Sequence, residues 1–447
     1  MTFDPRHSTW ASSGGFVPRT FVQPFARFAS TEASSGVVLL VAALVALVWA
    51  NSPWSDSYFQ VFDETRLVFA VGPVEVNETL GHFINDGLMA VFFFVVGMEI
   101  KRELVVGELR DSKAAALPAF AALGGMAVPA LIYLWITSGL GPEVAAGWGI
   151  PMATDIAFTL GVVALLGSRV PAAARVFILA LAIADDLGAI LVIALFYTSD
   201  LSPGWLALAV AGLAVVWGGQ RAGVRSLVFY VPMAGLVWLA TLESGIHATL
   251  AGVALGFLTP ARSLYSADEL EEKAREILDT YPMGDTPEDE EKSDHEAELL
   301  ADLARESIPP LNRLENRLVP WSSFVIVPLF ALANAGVAIR DTDLADMLLD
   351  RVALGVALGL VIGKFVGITF FSLLTVRLGW GRLPQGTTWR HIVGLALLAG
   401  IGFTVSLFIT NLAFDNRVLA DMARVGILAG SLISGLLGAL LLRVTAK

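Results

Sequence analysis

Asp185 and Asp186 stand side by side in the apolar stretch ALAIADDLGAILVIALFYT, residues 180–198. An ionised carboxylate at the centre of a bilayer costs at least about 2.5–3.5 kcal/mol. Two in a row therefore have a purpose other than packing. Adjacent helical positions point about 100° apart, so one can face the protein interior while the other faces a neighbouring helix or a water-filled cavity. A solvated acidic helix end is the bland reading. It fails on distance, because at about 1.5 Å per residue both ends of the apolar run lie too far away.

Two further charges share this setting. Asp155, preceded by Thr154, is central in AAGWGIPMATDIAFTLGVVALLG, and Lys364 lies about 12 residues from either end of its own apolar run. Roughly 18 Å of helix separates that lysine from water on each side, so snorkelling does not relieve it and it needs a carboxylate. Asp155, Asp185 and Asp186 are the candidates. If one acid pairs with Lys364, two remain, and two close carboxylates in a low dielectric do not both stay ionised without a cation. Either a proton or a metal ion neutralises them. Competition between the two is the chemistry of an ion/proton exchanger. Hard oxygens of Asp and Thr with backbone carbonyls suit a small hard cation. Spacing alone does not choose among Na⁺, Li⁺, K⁺ and Ca²⁺.

The elements that position these groups follow from composition. The chain has 447 residues, 56% of them hydrophobic, 42 glycines and a mean hydropathy of +0.71. Apolar runs fall at roughly 36–51, 83–98, 115–138, 146–167, 171–197, 203–219, 226–241, 245–260, 321–338, 352–376, 391–412 and 418–442. Runs of about 18 residues or more predict an all-α polytopic membrane protein with about twelve spans. The expected organisation is a cytoplasmic tail 1–35, spans one to eight over 36–260, a cytoplasmic insert 261–320, spans nine to twelve over 321–442 and a short cytoplasmic end 443–447. The first 30 residues carry Arg6, Arg19 and Arg27 without a long apolar core, which predicts a polar tail rather than a cleaved signal peptide. Lys101, Arg102, Arg110, Lys113, Arg169, Arg175, Arg221, Arg225, Arg262, Arg377, Arg382 and Arg390 all follow even-numbered spans. The positive-inside rule puts those connections and both termini in the cytoplasm.

Cysteine is absent, which excludes disulfides, thiolate metal sites and cysteine nucleophiles. The net charge of −12 is local: residues 268–306 hold 16 acids and 4 bases, leaving 25 of each elsewhere. No basic nucleic-acid-binding face is visible. The loop 262–310 reads as a solvated helix over SADELEEKAREILDTY followed by disorder over MGDTPEDEEKSD. Residues 59–80, with a Gly72-Pro73 turn signal, read as a β-hairpin on the outer face. Its open edge could pair with a second copy, giving a homodimer.

Helix breakers mark two spans. Gly149 and Pro151 precede Thr154 in span four, and Gly400 and Gly402 precede Thr404 in span eleven. Ile156-Ala157-Phe158-Thr159 matches Ile401-Gly402-Phe403-Thr404 in three of four positions. Spans three to five would then repeat as ten to twelve, inverted because the number of spans is odd. Interrupted helices at corresponding positions point to a transporter's midplane site. Asp86 lies near the outer end of span two, Glu99 and Glu103 at its cytoplasmic end, His247 near the start of span eight, and Glu315 just before span nine.

PMATDIAFTLGVVALLGSRVP, LALAIADDLGAILVIALFYT, INDGLMAVFFFVVGMEIKREL, SGIHATLAG, PLFALANAGV and AGIGFTVSLF closely resemble motifs of the bacterial NhaA sodium/proton antiporters, over about residues 25–262 and 311–442. The resemblance implies twelve spans, with four and eleven unwound and crossing at mid-membrane. It implies electrogenic exchange of Na⁺ or Li⁺ for more than one proton, in the inner membrane, in the service of pH homeostasis and salt tolerance. It assigns Asp186 to the cation, Asp185 and Thr154 to its support, and Lys364 to Asp185 as partner. Asp155 and Lys364 would offset the partial charges of the broken helix ends. Asp86 would line an external funnel, Glu99, Glu103 and Glu315 a cytoplasmic pH-response cluster, and His247 a further pH-linked position. It implies no cofactor beyond the transported ions, no nucleic acid, and dimerisation through the hairpin. Two departures stand out: Asn316 and Val319 occupy positions where histidines are expected, and the acidic insert is atypical. An intramembrane aspartyl hydrolase and a transporter of another solute are the alternatives. Adjacent acids on one helix beside a lysine disfavour the first, and the scarcity of other polar groups disfavours the second.

Overall fold

The computed structural model describes residues 32–71, 74–198, 201–282, 286–339 and 344–445. The tail carrying Arg6, Arg19 and Arg27, the Gly72-Pro73 turn, Met283–Asp285 and the last two residues lie outside the described residues. Each of the twelve apolar runs contains helix, and two of them are interrupted. The helices are α1 (Glu32–Ala50), α2 (Leu80–Val105), α3 (Ser112–Ile136), α4 (Ile156–Leu166), α5 (Ala172–Phe196), α6 (Pro203–Arg221), α7 (Leu227–Leu242) and α8 (Thr249–Leu258). After α9 (Ala267–Asp279) and α10 (Pro287–Glu306) of the insert come α11 (Pro310–Asn334), α12 (Arg351–Arg377), α13 (Trp389–Leu398), α14 (Phe403–Ala413) and α15 (Arg417–Thr445). Among the described residues eight helices are long and apolar enough to cross a membrane, and nine if the pair α13 and α14, bent by 45°, is one span; the apolar part of α1, Ser34–Ala50, and α7 and α8 are shorter.

Local chemistry starts and stops these helices. Asp111 accepts the Lys113 N–H to open α3, and Asp350 accepts the Val352 N–H at 2.7 Å to open α12. Wide, five-residue turns interrupt three helices, at Ile84–Leu88 in α2, Ser322–Ile326 in α11 and Gly359–Gly363 in α12. Such π-turns re-aim the residues that follow. The third ends immediately before Lys364.

Small residues let the backbones meet. A Cβ on Gly97 would lie 2.8 Å from the Val253 carbonyl and one on Gly256 2.6 Å from the Phe94 carbonyl, so α2 and α8 touch main chain to main chain. Gly363 presses on Pro129 and Gly125 on Ile368, with the Lys364 stem in ordinary contact, so α3 packs closely along the α12 segment that carries the lysine.

The hairpin is present but shorter than 59–80. β1 (Arg66–Val71) pairs antiparallel with β2 (Val74–Thr79), from Arg66↔Thr79 to Val71↔Val74. Residues 55–64 are helical instead, because Tyr58 and Phe62 are buried against Trp49. The disorder expected over MGDTPEDEEKSD gives way to helix from Pro287. There Thr286 and Asp289 form a reciprocal cap, Pro287 takes the first position, and Tyr281 bonds Ser293 at 2.5 Å. The helix that carries span nine begins at Pro310 rather than 321. Span eight is helical only over 249–258.

Candidate functional site

The chain entering α4 winds tightly over Ala146–Met152, where Pro151 offers no N–H, and is extended at Ala153 and Asp155. The partner break falls at 399–402, between α13 and α14. The two breaks cross, and each satisfies the other's backbone. The Asp155 N–H donates to the Ile401 carbonyl at 2.7 Å, the Thr154 hydroxyl to the Ala399 carbonyl at 2.9 Å, and the Thr159 hydroxyl to the Leu398 carbonyl at 3.3 Å. From the other side the Ser406 hydroxyl donates to the Ile150 carbonyl at 2.7 Å, while the Gly402 N–H donates to Ser431 at 3.3 Å. Backbone groups freed at membrane depth must be buried in protein or face water. Here protein supplies the partners.

Asp155 serves both half-helices. One carboxylate oxygen accepts the Phe158 N–H of α4 at 2.9 Å. The other accepts the Thr404 N–H and hydroxyl of α14 at 3.1 and 2.7 Å. Two helix N-termini, each with a positive partial charge, thus converge on one buried carboxylate. Gly400 and Gly402 are required by closeness: a Cβ at either would collide with α12 and α15 or with Ser406.

Lys364 reaches in from α12 with no exposed surface. Its ammonium donates to Asp185 at 2.6 Å and to the Thr154 hydroxyl at 2.9 Å. Thr154 thus accepts from the lysine and donates to Ala399, which leaves one hydroxyl lone pair. Asp186, the next residue on α5, is 5% exposed. One oxygen of Asp185 and one of Asp186 are buried without any hydrogen-bond partner. Other buried polar atoms also lack partners, Ser434 Oγ beside the span-eleven break among them, but these two carboxylate oxygens sit on adjacent residues and are open to a proton or a cation. Among the described residues no group of three or more His, Cys, Asp or Glu side chains is placed to hold a metal. A cation here would complete its shell with hydroxyl, carbonyl or water oxygens.

A cavity of about 600 Å³ approaches this pair between the end of α2, the start of α3 and the first half of α5, lined by Glu103, Arg110, Asp111, Val176 and Ala180. Ala180 lies five residues from Asp185, about 7.5 Å along the helix. Nearby, Arg102 pairs with Glu315 of α11, which is 7% exposed, and lies 4.0 Å from Glu103. Glu99 is half-buried one turn deeper. This brings three of the pH-cluster candidates into one region around Arg102, which the sequence marks only as a cytoplasmic charge. Asp86 and His247 lie elsewhere. Asp86 sits in the wide turn of α2, where its carbonyl accepts from Trp238 at 2.8 Å. His247 hydrogen-bonds the Tyr197 carbonyl at 2.6 Å, tying the connection before α8 to the end of α5.

Ser406, Ser431 and the asparagines Asn85, Asn334 and Asn411 were not singled out from sequence. The amides had a signal, since asparagine within an apolar run is itself unusual.

Comparison with known proteins follows the same line. Residues 26–442 match the family model described as Na+/H+ antiporter 1. The chain is 50% identical over 421 residues to the Na(+)/H(+) antiporter NhaA of Rhodopirellula baltica, covering 94% of this chain and 93% of the relative. It is 48% identical over 428 residues to that of Anaeromyxobacter sp., covering 95% and 92%. With that of Syntrophobacter fumaroxidans it shares 46% identity over 424 residues, covering 93% and 89%.

Proposed function

The chain belongs to the Na⁺/H⁺ antiporter family of these relatives, and from that premise we propose that Asp186 and Asp185 are the shared seat of cation and protons. The protein is a multi-pass membrane antiporter exchanging Na⁺ for H⁺, a secondary transporter and not an enzyme. The pair of partnerless oxygens on Asp185 and Asp186 carries the proposal. With no cation bound, at least one proton must occupy that pair, because Lys364 offsets only one of the two charges and a second bare carboxylate in a low dielectric is repelled too strongly. A Na⁺ or Li⁺ ion entering from the cavity takes over the same lone pairs and expels the protons. Exclusion of one by the other couples the two fluxes.

The neighbours hold the seat without joining the exchange. Lys364 fixes one oxygen of Asp185 and leaves the other free. Thr154 ties that lysine to the span-eleven break, so occupancy is felt at the crossing. Asp155 balances two helix dipoles and is too fully hydrogen-bonded to bind a cation. Exchange of more than one proton per cation makes the cycle electrogenic. Arg102, Glu315, Glu103 and Glu99 sit beside the cavity where they can respond to cytoplasmic pH. Asp86 lines the opposite approach, and His247 adds a pH-linked contact.

The twelve helical runs fit twelve crossings of the bacterial inner membrane with both termini cytoplasmic, an inverted relation of spans three to five and ten to twelve, and a homodimer paired through β1 or β2.

The test is Na⁺-driven proton flux in proteoliposomes across a pH series. Asp186→Asn is expected to abolish it and Asp185→Asn to reduce it severely. Normal flux through Asp186→Asn removes the site.

A further inference from the structure

The bonds around the crossing lie among α4, α5, α12, α13, α14 and α15 and the break before α4. A second buried polar cluster joins this group to α2 and α11. Asn334, the last residue of α11, is its hub. Its amide nitrogen donates to Asn85 of α2 at 2.8 Å and to the Phe330 carbonyl at 2.9 Å. Its amide oxygen accepts from Asn411 of α14 at 2.6 Å and from Asn85 at 3.4 Å. Asn334 is 4% exposed, and all four of its hydrogen-bonding positions are filled. Asn411 is held in turn by Arg424 of α15 at 3.0 Å. Tyr58 fixes the end of α11 by donating to the Leu332 and Ala333 carbonyls at 2.8 and 3.0 Å.

The same three helices make a second layer. Phe93 of α2 and Phe330 of α11 pack against Phe408 of α14, with ring centroids 5.2 and 6.4 Å apart. Phe330 and Phe408 each lie one turn closer to the helix break than the amide on their own helix. One turn further along α14 is Thr404, bonded to Asp155. Amides, then rings, then the crossing stack along one line from the hairpin end. The cavity that reaches α5 lies at the other end of α2. A cavity thus lies on one face, ending at Ala180 of α5, while groups from α2, α11 and α14 pack together at the other.

We propose that Asn85, Asn334 and Asn411 are positioning residues for the exchange reaction: a neutral amide latch that holds α14 against α2 and α11 and parts when the site turns to the hairpin face. Neutrality is the physical reason for amides here. Parting a buried ion pair strands a charge at a cost of several kcal/mol. Amide bonds are worth about 0.5–1.5 kcal/mol each, net, and water replaces them on opening. A few such bonds match the gap of a few kcal/mol between two states that must interconvert in every cycle. The inference rests on the exchange activity and not on which carboxylate binds Na⁺, so failure of the Asp186 test leaves it standing.

The chain has no cysteine, so an introduced thiol is a unique reporter. Met89 is unexposed and lies one turn beyond Asn85 toward Phe93. In vesicles, Met89→Cys is expected to react slowly with an impermeant thiol reagent applied from the hairpin face. Asn411→Asp keeps the shape and the Arg424 contact but removes the donor to Asn334. Adding it should speed labelling about tenfold, the ratio for one hydrogen bond of about 1.4 kcal/mol, and change the KM for Na⁺ on that face. Asn411→Ser, which restores a shorter donor, should recover part of both. In a separate chain, Asn334→Cys with Asn411→Cys, bridged by a short bifunctional thiol reagent, should stop exchange until the bridge is cleaved, with thermal stability retained. Unchanged labelling in Asn411→Asp overturns the latch, and so does exchange that continues through the bridged protein.

Discussion

Two acid-rich regions of this protein use one functional group in opposite ways. The insert α9–α10 and its connections hold 16 acidic residues between 268 and 306, and the membrane centre holds three, Asp155, Asp185 and Asp186. In the insert the carboxylates are mostly exposed, and several do small local tasks. Glu269 and Asp289 cap helices through Ser266 and Thr286, and Glu271 pairs with Arg275 at 2.5 Å. In the centre each carboxylate is almost wholly buried. Like charges 4 Å apart repel by about 1 kcal/mol in water and about 4 kcal/mol at an effective dielectric constant of 20. Sixteen acids in water can therefore be ignored by the chemistry, whereas two in the membrane must be neutralised before the protein is stable. Surroundings give the carboxylate its function, and number does not.

The largest test of that contrast is Lys364→Ala. It strands the Asp185 carboxylate, and breaking a buried pair costs about 3–5 kcal/mol. A large fall in the melting temperature of the purified protein is expected together with lost Na⁺/H⁺ flux. Unchanged stability and flux would mean that the pair carries no weight. Asp155→Asn comes next. Asparagine keeps one acceptor but turns an amide toward donors, leaving a buried N–H or hydroxyl unsatisfied at about 1–3 kcal/mol. Flux should fall and the melting temperature should drop less than for Lys364→Ala. A drop equal to or larger than that one would show the crossing, rather than the ion pair, to be the main support.

Deleting 266–306 removes the region's −12. The expected effect is confined to the apparent Na⁺ affinity on the insert face and to its salt dependence, because exposed charges act through a field screened within about 8 Å at physiological ionic strength. A change in the maximal rate would contradict the comparison. The smallest effect concerns acid. Hydrogen bonds from Ser266 and Thr286 hold Glu269 and Asp289 below their ordinary values of 4.5 and 3.8. A depressed carboxylate adds stability that is present above the ordinary value and lost as pH falls through the depressed one. Hydrogen exchange of α9 and α10 in the intact protein should therefore quicken below about pH 4, with the centre unaffected. Ser266→Ala should shorten that acid-sensitive window for α9 alone.

Much of the centre was legible because the bilayer makes charge conspicuous. Asp155, Asp185, Asp186 and Lys364 could be picked out by their distance from any helix end, and Thr154, Gly400 and Gly402 by their neighbours. Less was legible where competing contacts decide. Residues 59–64 carried strand-like composition, yet Tyr58 and Phe62 drew that stretch into helix against Trp49. The insert's second half looked too polar to order, yet a cap, a first-turn proline and a tyrosine contact set it as helix.

The sequence by itself determined that the chain lives in a membrane, that helix breakers mark two of its spans, and that three acids and one base lie deep within them. Those conclusions need only transfer energies and helix geometry, both of which are local. Which acid the lysine takes, which oxygens stay free, that one carboxylate caps two helices, and that three asparagines from distant segments meet were decided by the tertiary structure alone. Hydrogen bonds act over about 3 Å, and residues 200 positions apart reach that range only when the crossing brings them there.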